Sequence, residues 1–364
     1  MRIAILSPSE NQYSETFIQA HRKYLKGEIF YYSGGAYPTN CNGEEINTLF
    51  NKIITRIYLR FKKTPFLERK NALKKSLKRN KIDVVLAEYG YTAQLNLEII
   101  KSNSIPLIVH FHGFDASVYA EVKKHDNYKD IFTYAKYIVV VSKKMRQMIL
   151  DLGCPENKII LNTYGPQPEF QNIKPKFTEK SFIGIGRFVE KKAPYYTILA
   201  FEKILNNHPD ALLYLAGDGP LKSTCENIVR HLGIEKNVIF LGVVSPEIYR
   251  EYLKKVRGFV QHSIRAKNGD MEGCPLAVLE ASVAGLPIIS TNHAGIPDVI
   301  IHNKTGLLCE EHETNKMSQN MNILLEDIEL AQKMGEAGKA EILNNFSIKK
   351  HINTLDDLIS NCQS

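Results

Sequence analysis

Two glutamates eight positions apart, Glu272 and Glu280, flank the predicted start of a helix. Pro275 suits the first helical position because no amide hydrogen is needed there, and Gly285 and Pro287 end the pattern. A loop that leads into a helix N-terminus presents unpaired amides and a positive dipole end, which suit an anionic phosphate. Carboxylates beside it can accept hydrogen bonds from sugar hydroxyls. These residue types in this order suggest a nucleotide sugar as the ligand.

A basic turn follows the apolar run Phe182–Ile185. Gly186 lets the backbone pass close to a ligand, and Arg187 and Lys192 could neutralise a diphosphate, the first as a fork and the second as a point charge. The loop after such a strand lies at the ligand-binding edge of an open parallel sheet. From these residues alone, an exposed basic turn without a ligand is an equal alternative.

Two histidines, His110 and His112, end the run that begins at Leu107. A lone histidine at a strand end is more often structural than catalytic. The first strand is followed by Ser14, which suits the N-cap of the next helix. The turn at residues 216–220 contains Gly-x-Gly, which alone is a weak signal and predicts a structural role.

Length and composition indicate a globular protein of two domains, because 364 residues exceed one ordinary core. No stretch approaches the roughly 20 apolar residues that span a membrane. Met1–Pro8 is interpreted as a short buried strand rather than a signal peptide. The six cysteines include no Cys-x-x-Cys pair, which disfavours a cysteine zinc site or a disulfide framework and favours a cytoplasmic location.

The net charge of +8 belongs to the N-terminal half, since residues 1–170 carry 25 Lys and Arg against 16 Asp and Glu. Residues 52–81 alone carry twelve cations against Glu68. One interpretation is a solvated helical face whose apolar stripe packs on the core. The other is peripheral contact with anionic lipid at the inner face of the membrane. Nucleic acid is not expected as a partner because no recognition motif accompanies the charge.

Short apolar runs alternate with helical patterns, which predicts α/β structure with parallel sheets. Pro166–Lys180 resembles a linker, and a second unit begins after it. The predicted strands are Ile3–Leu6, Val84–Ala87, Leu107–His110, Tyr137–Val141, Ile159–Leu161, Phe182–Ile185, Leu212–Ala216, Val238–Leu241, Gly258–Gln261 and Ile288–Ser290.

The sequence around the two glutamates, Glu-Gly-x-Pro-x-x-x-x-Glu-Ala, resembles the signature of retaining glycosyltransferases of family four. His262-Ser263 before it and Gly285-Leu286-Pro287 after it strengthen the likeness, as do Gly186–Lys192 and Phe111–Asp115. The resemblance implies the GT-B fold, in which two Rossmann-like doubly wound domains face each other across a cleft. We expect an acceptor-side domain at 1–170, a donor-binding domain at 171–346 and a helix at 347–364 that crosses back to the first domain.

The resemblance also implies roles for individual residues. Arg187 and Lys192 correspond to the pair that holds the leaving diphosphate, Glu272 to the acid at the sugar hydroxyls and Glu280 to the acid at the ribose. His112, rather than His110, corresponds to the histidine at the transferred sugar. The other implied donor contacts are Gly186, the backbone at Val244 and the amides of Gly273, Cys274, Pro275 and Leu276. The implied acceptor-side residues are Glu15 and Asp115, of which Asp115 either orients its loop or touches the acceptor.

Two departures from the family's usual pattern stand out. Ala193-Pro194 replaces the usual glycine after the basic turn, and Pro8–Gln12 replaces a glycine pair in the first loop. The first departure puts the start of the next helix in question, and the second puts loop contacts to the donor phosphates in question.

These features together predict a retaining, metal-independent hexosyltransferase of cell-surface polysaccharide, capsule or lipopolysaccharide biosynthesis. Its donor is expected to be a UDP-sugar first and a GDP-sugar second, and its acceptor a glycan or lipid-linked glycan. No cofactor is expected, since two cations and a helix dipole can neutralise the diphosphate and no Asp-x-Asp motif is present. The alternatives are a sugar-nucleotide epimerase of the same fold and a non-catalytic partner in glycan assembly.

Overall fold

The computed structural model describes residues 1–10, 15–46 and 67–363. Ser14 and residues 52–66 of the basic stretch lie outside this described part. The described residues divide into two compact units, one formed by residues 1–162 and 349–364 and the other by residues 163–348. The sequence predicted the domain boundaries between residues 170 and 171 and between residues 346 and 347.

The described part of the first unit contains a sheet of eight strands in the order β4-β3-β2-β1-β5-β6-β7-β8. All pairs are parallel except β2-β3 and β3-β4. Its central strands are apolar and buried on both faces, as parallel strands covered by helices must be. The strands are β1 Arg2–Leu6, β2 Glu28–Ser33, β3 Asn40–Cys41, β4 Glu44–Glu45, β5 Val84–Glu88, β6 Leu107–His110, β7 Tyr137–Val140 and β8 Ile159–Leu161.

The helices of this unit connect the strands. Described in chain order, they are α1 Thr16–Tyr24, α2 Leu67–Arg79, α3 Gly90–Ser102, α4 Phe114–Ser117, α5 Tyr119–Lys124, α6 Lys129–Tyr134 and α7 Lys143–Asp151. Glu15 occupies the N-cap position of α1 and makes no side-chain capping hydrogen bond, and the predicted cap Ser14 lies outside the described residues.

The second unit contains a parallel sheet of six strands in the order β11-β10-β9-β12-β13-β14. This is the doubly wound order in which the winding reverses between the first and fourth strands, here β9 and β12. The strands are β9 Ser181–Ile185, β10 Leu212–Ala216, β11 Val238–Gly242, β12 Gly258–Gln261, β13 Ile288–Thr291 and β14 Gly306–Cys309.

The helices of the second unit are α8 Pro194–Glu202, α9 Lys222–Leu232, α10 Pro246–Leu253, α11 Leu276–Ala284, α12 Ile296–Val299, α13 Thr314–Glu326 and α14 Ile328–Asn345. Pro275 is the N-cap of α11, with ψ near 113°, and not its first helical residue as expected. Ala193 adopts a left-handed conformation with φ 36° immediately before α8, where the resembling family usually has glycine. The helix therefore begins at Pro194 despite the departure.

The last helix, α15 Ile348–Ser360, packs on the first unit. Asn162 Nδ2 donates to the carbonyl of His351 at 3.0 Å, and the amide of Lys26 donates to Asp356 Oδ1 at 2.9 Å. Its buried face includes Ile352 and Leu355. α15 therefore places residues beside α1 that lie 330 positions further along the sequence. The polar cluster described below depends on this packing.

Only the second half of the basic stretch is described. There α2 buries Ala72, Leu73 and Leu77 while its lysines face outward, as expected for a solvated face with an apolar stripe. Contact with anionic lipid stays a prediction. In the part of the chain that the structure covers, no helix combines the length and apolarity needed to cross a bilayer.

Two glycines of the second unit provide a matched test of the packing between its strand-end loops. A Cβ at Gly217, where φ is +129°, would lie 1.9 Å from the carbonyl oxygen of Gly186, whereas a Cβ at Gly233, where φ is +68°, meets nothing within 4 Å. We expect Gly233→Ala to cost about 1–2 kcal/mol from backbone strain alone. Gly217→Ala should cost clearly more, because backbone must move. Chemical denaturation measures both, and equal stabilities would contradict this packing.

Candidate functional site

In the second unit, polar side chains gather where β9 and β12 end. The strand order reverses between these two strands, and open α/β sheets bind ligands at such a switch point. A pocket at this edge is lined by Gly186, Arg187 and Lys192 from the loop after β9 and by Gln261 at the end of β12. The predicted basic turn therefore borders a pocket.

The cation and the acid that the sequence singled out in separate segments meet at this edge. Lys192 Nζ lies 3.3 Å from Glu272 Oε1 and donates to Gln261 Oε1 at 3.2 Å. Burial lowers the pKa of Lys192 against the pull of Glu272. Burial alone would raise the pKa of Glu272, but the charges of Lys192, Lys191 and His293 and the hydrogen bond with Lys192 together lower this pKa. Each charge of the pair therefore offsets the cost of burying the other.

The loop that carries Glu272 is fixed from two sides. Lys191, which the sequence analysis did not nominate, forms an ion pair with Asp270 at 2.9 Å. The Glu272 amide donates to His293 Nε2 at 3.2 Å, which leaves Nδ1 of that ring to donate its proton to Glu311 Oε1 at 2.6 Å. These contacts position the carboxylate of Glu272 before any ligand binds.

The start of α11 offers backbone donors beside Glu272. The helical ladder begins with the amide of Val278, which donates to the carbonyl of Pro275 at 3.0 Å. Within the described residues, the amides of Gly273, Cys274 and Leu276 donate no recorded hydrogen bond. Pro275 has no amide hydrogen, so the expectation that it contributes a donor is wrong. Three amides remain to face an anion.

Two further predicted donor contacts lie at the same edge of the sheet. Arg187 is exposed, and no ion pair of its guanidinium with a described residue is recorded. Val244 lies two residues beyond the end of β11 and is partly exposed. Both residues are accessible to a ligand.

Glu280 lies on α11 and is partly exposed, yet its surroundings disfavour charge. Burial raises the pKa of Glu280 from 4.5 to about 8, and no ion pair with a described residue is recorded for it. A carboxylate that is costly to ionise in the folded chain gains from a ligand with hydroxyl donors.

This pKa makes stability fall with rising pH. The unfolded chain loses the Glu280 proton near pH 4.5 and the folded chain near pH 8, so this residue's contribution is intact below pH 4.5 and is lost as pH rises towards 8. Glu280→Gln cannot ionise. We expect the variant to match the wild type below pH 4.5 and to melt at a higher temperature at pH 8. The exposed Glu235→Gln serves as control, and identical pH profiles for wild type and Glu280→Gln would contradict the assignment.

In the first unit, His112 is enclosed by aromatic rings and a carboxylate. Its ring stacks on Phe17 at 4.4 Å and on His110 at 4.5 Å between centroids. Its Nε2 lies 2.8 Å from Glu88 Oε2, which makes Nε2–H the donor and Nδ1 the acceptor of the neutral ring. Burial lowers the pKa of His112 although Glu88 opposes this. The ring orientation is therefore set by Glu88.

Glu88 links His112 to two further histidines that the sequence analysis missed. Its other oxygen, Oε1, lies 2.7 Å from His21 Nδ1, and His21 Nε2 lies 2.8 Å from His351 Nε2. All of these side chains are buried. Burial lowers the pKa of His21 to about 3. The chain of contacts runs from His112 through Glu88 at the end of β5 and His21 on α1 to His351 on α15.

The two acceptor-side candidates are both engaged within the first unit. Asp115 is fully buried, and its oxygens accept the amides of Gly90, His112 and Gly113 at 2.8, 3.0 and 3.1 Å. This favours the loop-orienting alternative for Asp115 over acceptor contact. Glu15 accepts the Tyr89 hydroxyl at 2.7 Å and also contacts Ser9.

Models of known families match both units of the chain. The model "Glycosyl transferases group 1" matches residues 167–341, and the model "Glycosyltransferase Family 4" matches residues 32–161. Together the two matches include the basic turn, both glutamates and the histidines that end β6.

Two of the similar proteins are bacterial enzymes with named activities. The amylovoran biosynthesis glycosyltransferase AmsK of Erwinia amylovora is 28% identical over 246 residues, which are 65% of this chain and 60% of AmsK. The N-acetyl-alpha-D-glucosaminyl L-malate synthase of Bacillus anthracis is 26% identical over 349 residues, which are 92% of this chain and 89% of that protein.

Among solved structures, Anabaena Alr3699/HepE in complex with UDP and glucose matches with a TM-score of 0.78 at 14% identity, and the match covers 99% of both chains. The predicted GT-B fold with two Rossmann-like α/β domains is therefore confirmed. With this fold and with family models matched in both units, the chain belongs to glycosyltransferase family four.

Proposed function

We propose that this chain is a retaining glycosyltransferase that transfers a sugar from a nucleotide-diphosphate donor to a growing glycan or lipid-linked glycan. The observation that carries the proposal is the buried Lys192–Glu272 pair at the switch point of the second sheet, with the α11 amides beside it. A cation, backbone donors and a carboxylate at one place match the diphosphate and the hydroxyls of such a donor.

The cations and amides act on the leaving group. Lys192, Arg187 and the amides of Gly273, Cys274 and Leu276 bind the diphosphate of the donor. As the bond to the sugar breaks, negative charge grows on the departing phosphate, and donors fixed in advance stabilise that charge more than the ground state. Since the protein itself supplies these donors, the proposed transfer needs no metal at the diphosphate.

The two glutamates hold the two sugars of the donor. Glu272, whose loop is fastened by Lys191 and His293, accepts hydrogen bonds from hydroxyls of the transferred sugar. Glu280 accepts the ribose hydroxyls, which provide the donors that it lacks in the unliganded chain. When the diphosphate engages Lys192, the carboxylate of Glu272 exchanges part of its ion pair for sugar hydroxyls.

The first unit contributes His112 by the resemblance. Its Nε2–H is fixed on Glu88, which sets the orientation of the ring that we propose contacts the transferred sugar. In the resembling family, the acceptor attacks on the face from which the phosphate departs, and that phosphate takes the acceptor's proton. Retention of the anomeric configuration follows from this geometry and is part of the proposal.

We place a UDP-sugar before a GDP-sugar, as the sequence analysis did. HepE, which was solved with UDP and glucose, supports the first, whereas relatives named as GDP-mannose-dependent mannosyltransferases support the second. The name of AmsK, amylovoran biosynthesis glycosyltransferase, favours an exopolysaccharide acceptor. The match spans 60% of the length of AmsK. The proposal of a glycan acceptor is drawn from the name of this relative.

Two other functions predict different products. A sugar-nucleotide epimerase of the same fold would change the donor sugar, or release UDP with a monosaccharide, without any acceptor. A non-catalytic assembly partner would release no nucleotide from any donor. The presence of His112, Lys192 and Glu272 together disfavours the second alternative, since loss of one is expected when catalysis is lost.

The test is calorimetric titration of the purified chain with UDP, GDP, ADP and CMP without added metal. We expect binding of one diphosphate in the micromolar range, about −8 kcal/mol. Arg187→Ala should abolish measurable binding, because it removes an exposed cation at the pocket. Arg230→Ala, which changes an exposed arginine on α9, is the matched control and should bind as the wild type does.

Binding of none of the four nucleotides would contradict the proposed donor site. Binding that survives Arg187→Ala unchanged would contradict the placement of the diphosphate at the basic turn. Incubation of the bound nucleotide's sugar conjugates with and without acceptor then separates transfer from epimerisation.

A further inference from the structure

Three histidines from distant parts of the chain converge inside the first unit. One ring nitrogen from each of His21, His110 and His351 lies within 4.8 Å of the others. All three side chains are buried, on α1, at the end of β6 and on α15. The function proposed above assigns no role to this cluster.

The rings are spaced as three ligands of one ion would be. Their centroids are 5.1 Å apart for His21 and His351, 5.2 Å for His21 and His110, and 5.7 Å for His110 and His351. A tetrahedral Zn²⁺ about 2.0–2.1 Å from each nitrogen places such centroids about 5 Å apart. The triangle is nearly equilateral, which pairwise stacking does not require.

The outward nitrogens of two rings have the partners that metal ligands usually have. Nδ1 of His21 lies 2.7 Å from the carboxylate of Glu88, and Nδ1 of His110 lies 3.3 Å from the carbonyl of Phe111. Donation from Nδ1 to a carboxylate or carbonyl orients the ring and leaves Nε2 as the lone-pair nitrogen. Nε2 of His21 is also the atom that meets Nε2 of His351, at 2.8 Å.

The charged side chains around the cluster are also mainly acidic. Glu88 is fully buried and contacts two imidazoles, and Glu15 and Asp115 add to the negative potential at it. Within residues 1–10, 15–46 and 67–363, no lysine or arginine forms an ion pair with Glu88. A buried carboxylate normally requires a cation, and an ion beyond His21 would supply one.

We propose that His21, His110 and His351 bind one divalent transition-metal ion through their Nε2 atoms, with Glu88 and the Phe111 carbonyl as outer partners. Three imidazole nitrogens suit Zn²⁺, and also Cu²⁺, Ni²⁺ or Fe²⁺. Before an ion binds, Nε2–H of His351 donates to Nε2 of His21. Binding moves that proton to Nδ1 of His351, so that all three rings coordinate as neutral imidazoles. The ion fastens α15 to α1 and β6 within the first unit.

The test is elemental analysis of the full chain, purified without a histidine tag or chelator and incubated with Zn²⁺ before removal of free ion. We expect about one ion per chain for the wild type. His21→Gln and His351→Gln should lose it. His231→Gln, which changes an exposed histidine on α9 of the other unit, should keep it.

A second readout needs no variant to fold. X-ray absorption of the zinc-loaded wild type should show nitrogen or oxygen ligands near 2.0–2.1 Å and no sulfur, and Zn²⁺ should raise the melting temperature of chelator-treated protein. A wild type that retains no ion contradicts the site, as does retention that both glutamine variants leave unchanged. A sulfur ligand would also contradict it.

Discussion

The donor half of this molecule depends on one buried ion pair. Lys192 and Glu272 come from loops 80 positions apart in the chain, and neither charge could be buried at the end of the sheet without the other. Lys191 fastens one of these loops through Asp270, and His293 holds the amide of Glu272. These contacts fix the pair before a ligand binds. A diphosphate that takes the place of Glu272 beside Lys192 therefore meets a cation that is already desolvated.

The first unit also buries a carboxylate, and histidines rather than a lysine are its partners. Glu88 is buried at the end of β5 and receives His21 and His112 on its two oxygens. Asp115 is buried nearby and is satisfied by three backbone amides. Both carboxylates shape the loop after β6, so the orientation of His112 follows from buried charge rather than from the loop's own preference.

The sequence predicted all ten of the strands named from it, because parallel strands buried on both faces are short apolar runs. It missed β3 and β4, which have two residues each, and the edge strand β14. It also missed β2, a six-residue strand between β1 and β3 in which Glu28 and two tyrosines interrupt the aliphatic pattern. Lys192 and Glu272 could be nominated from their local motifs. Glu88, His21 and His351 could not, because an acid inside an apolar run and histidines on two separate helices share no spacing, and only the packing of α15 unites them.

The most direct test of the account compares the affinity of the chain for the nucleoside diphosphate that it binds with that for the corresponding monophosphate. If Lys192 grips the second phosphate, Lys192→Ala should lower the diphosphate affinity towards that of the monophosphate, by about tenfold or more for one charge-assisted contact. Glu272→Gln should bind the diphosphate at least as tightly as the wild type, because Lys192 is released from its partner. Unchanged preference for the diphosphate in Lys192→Ala would contradict the account.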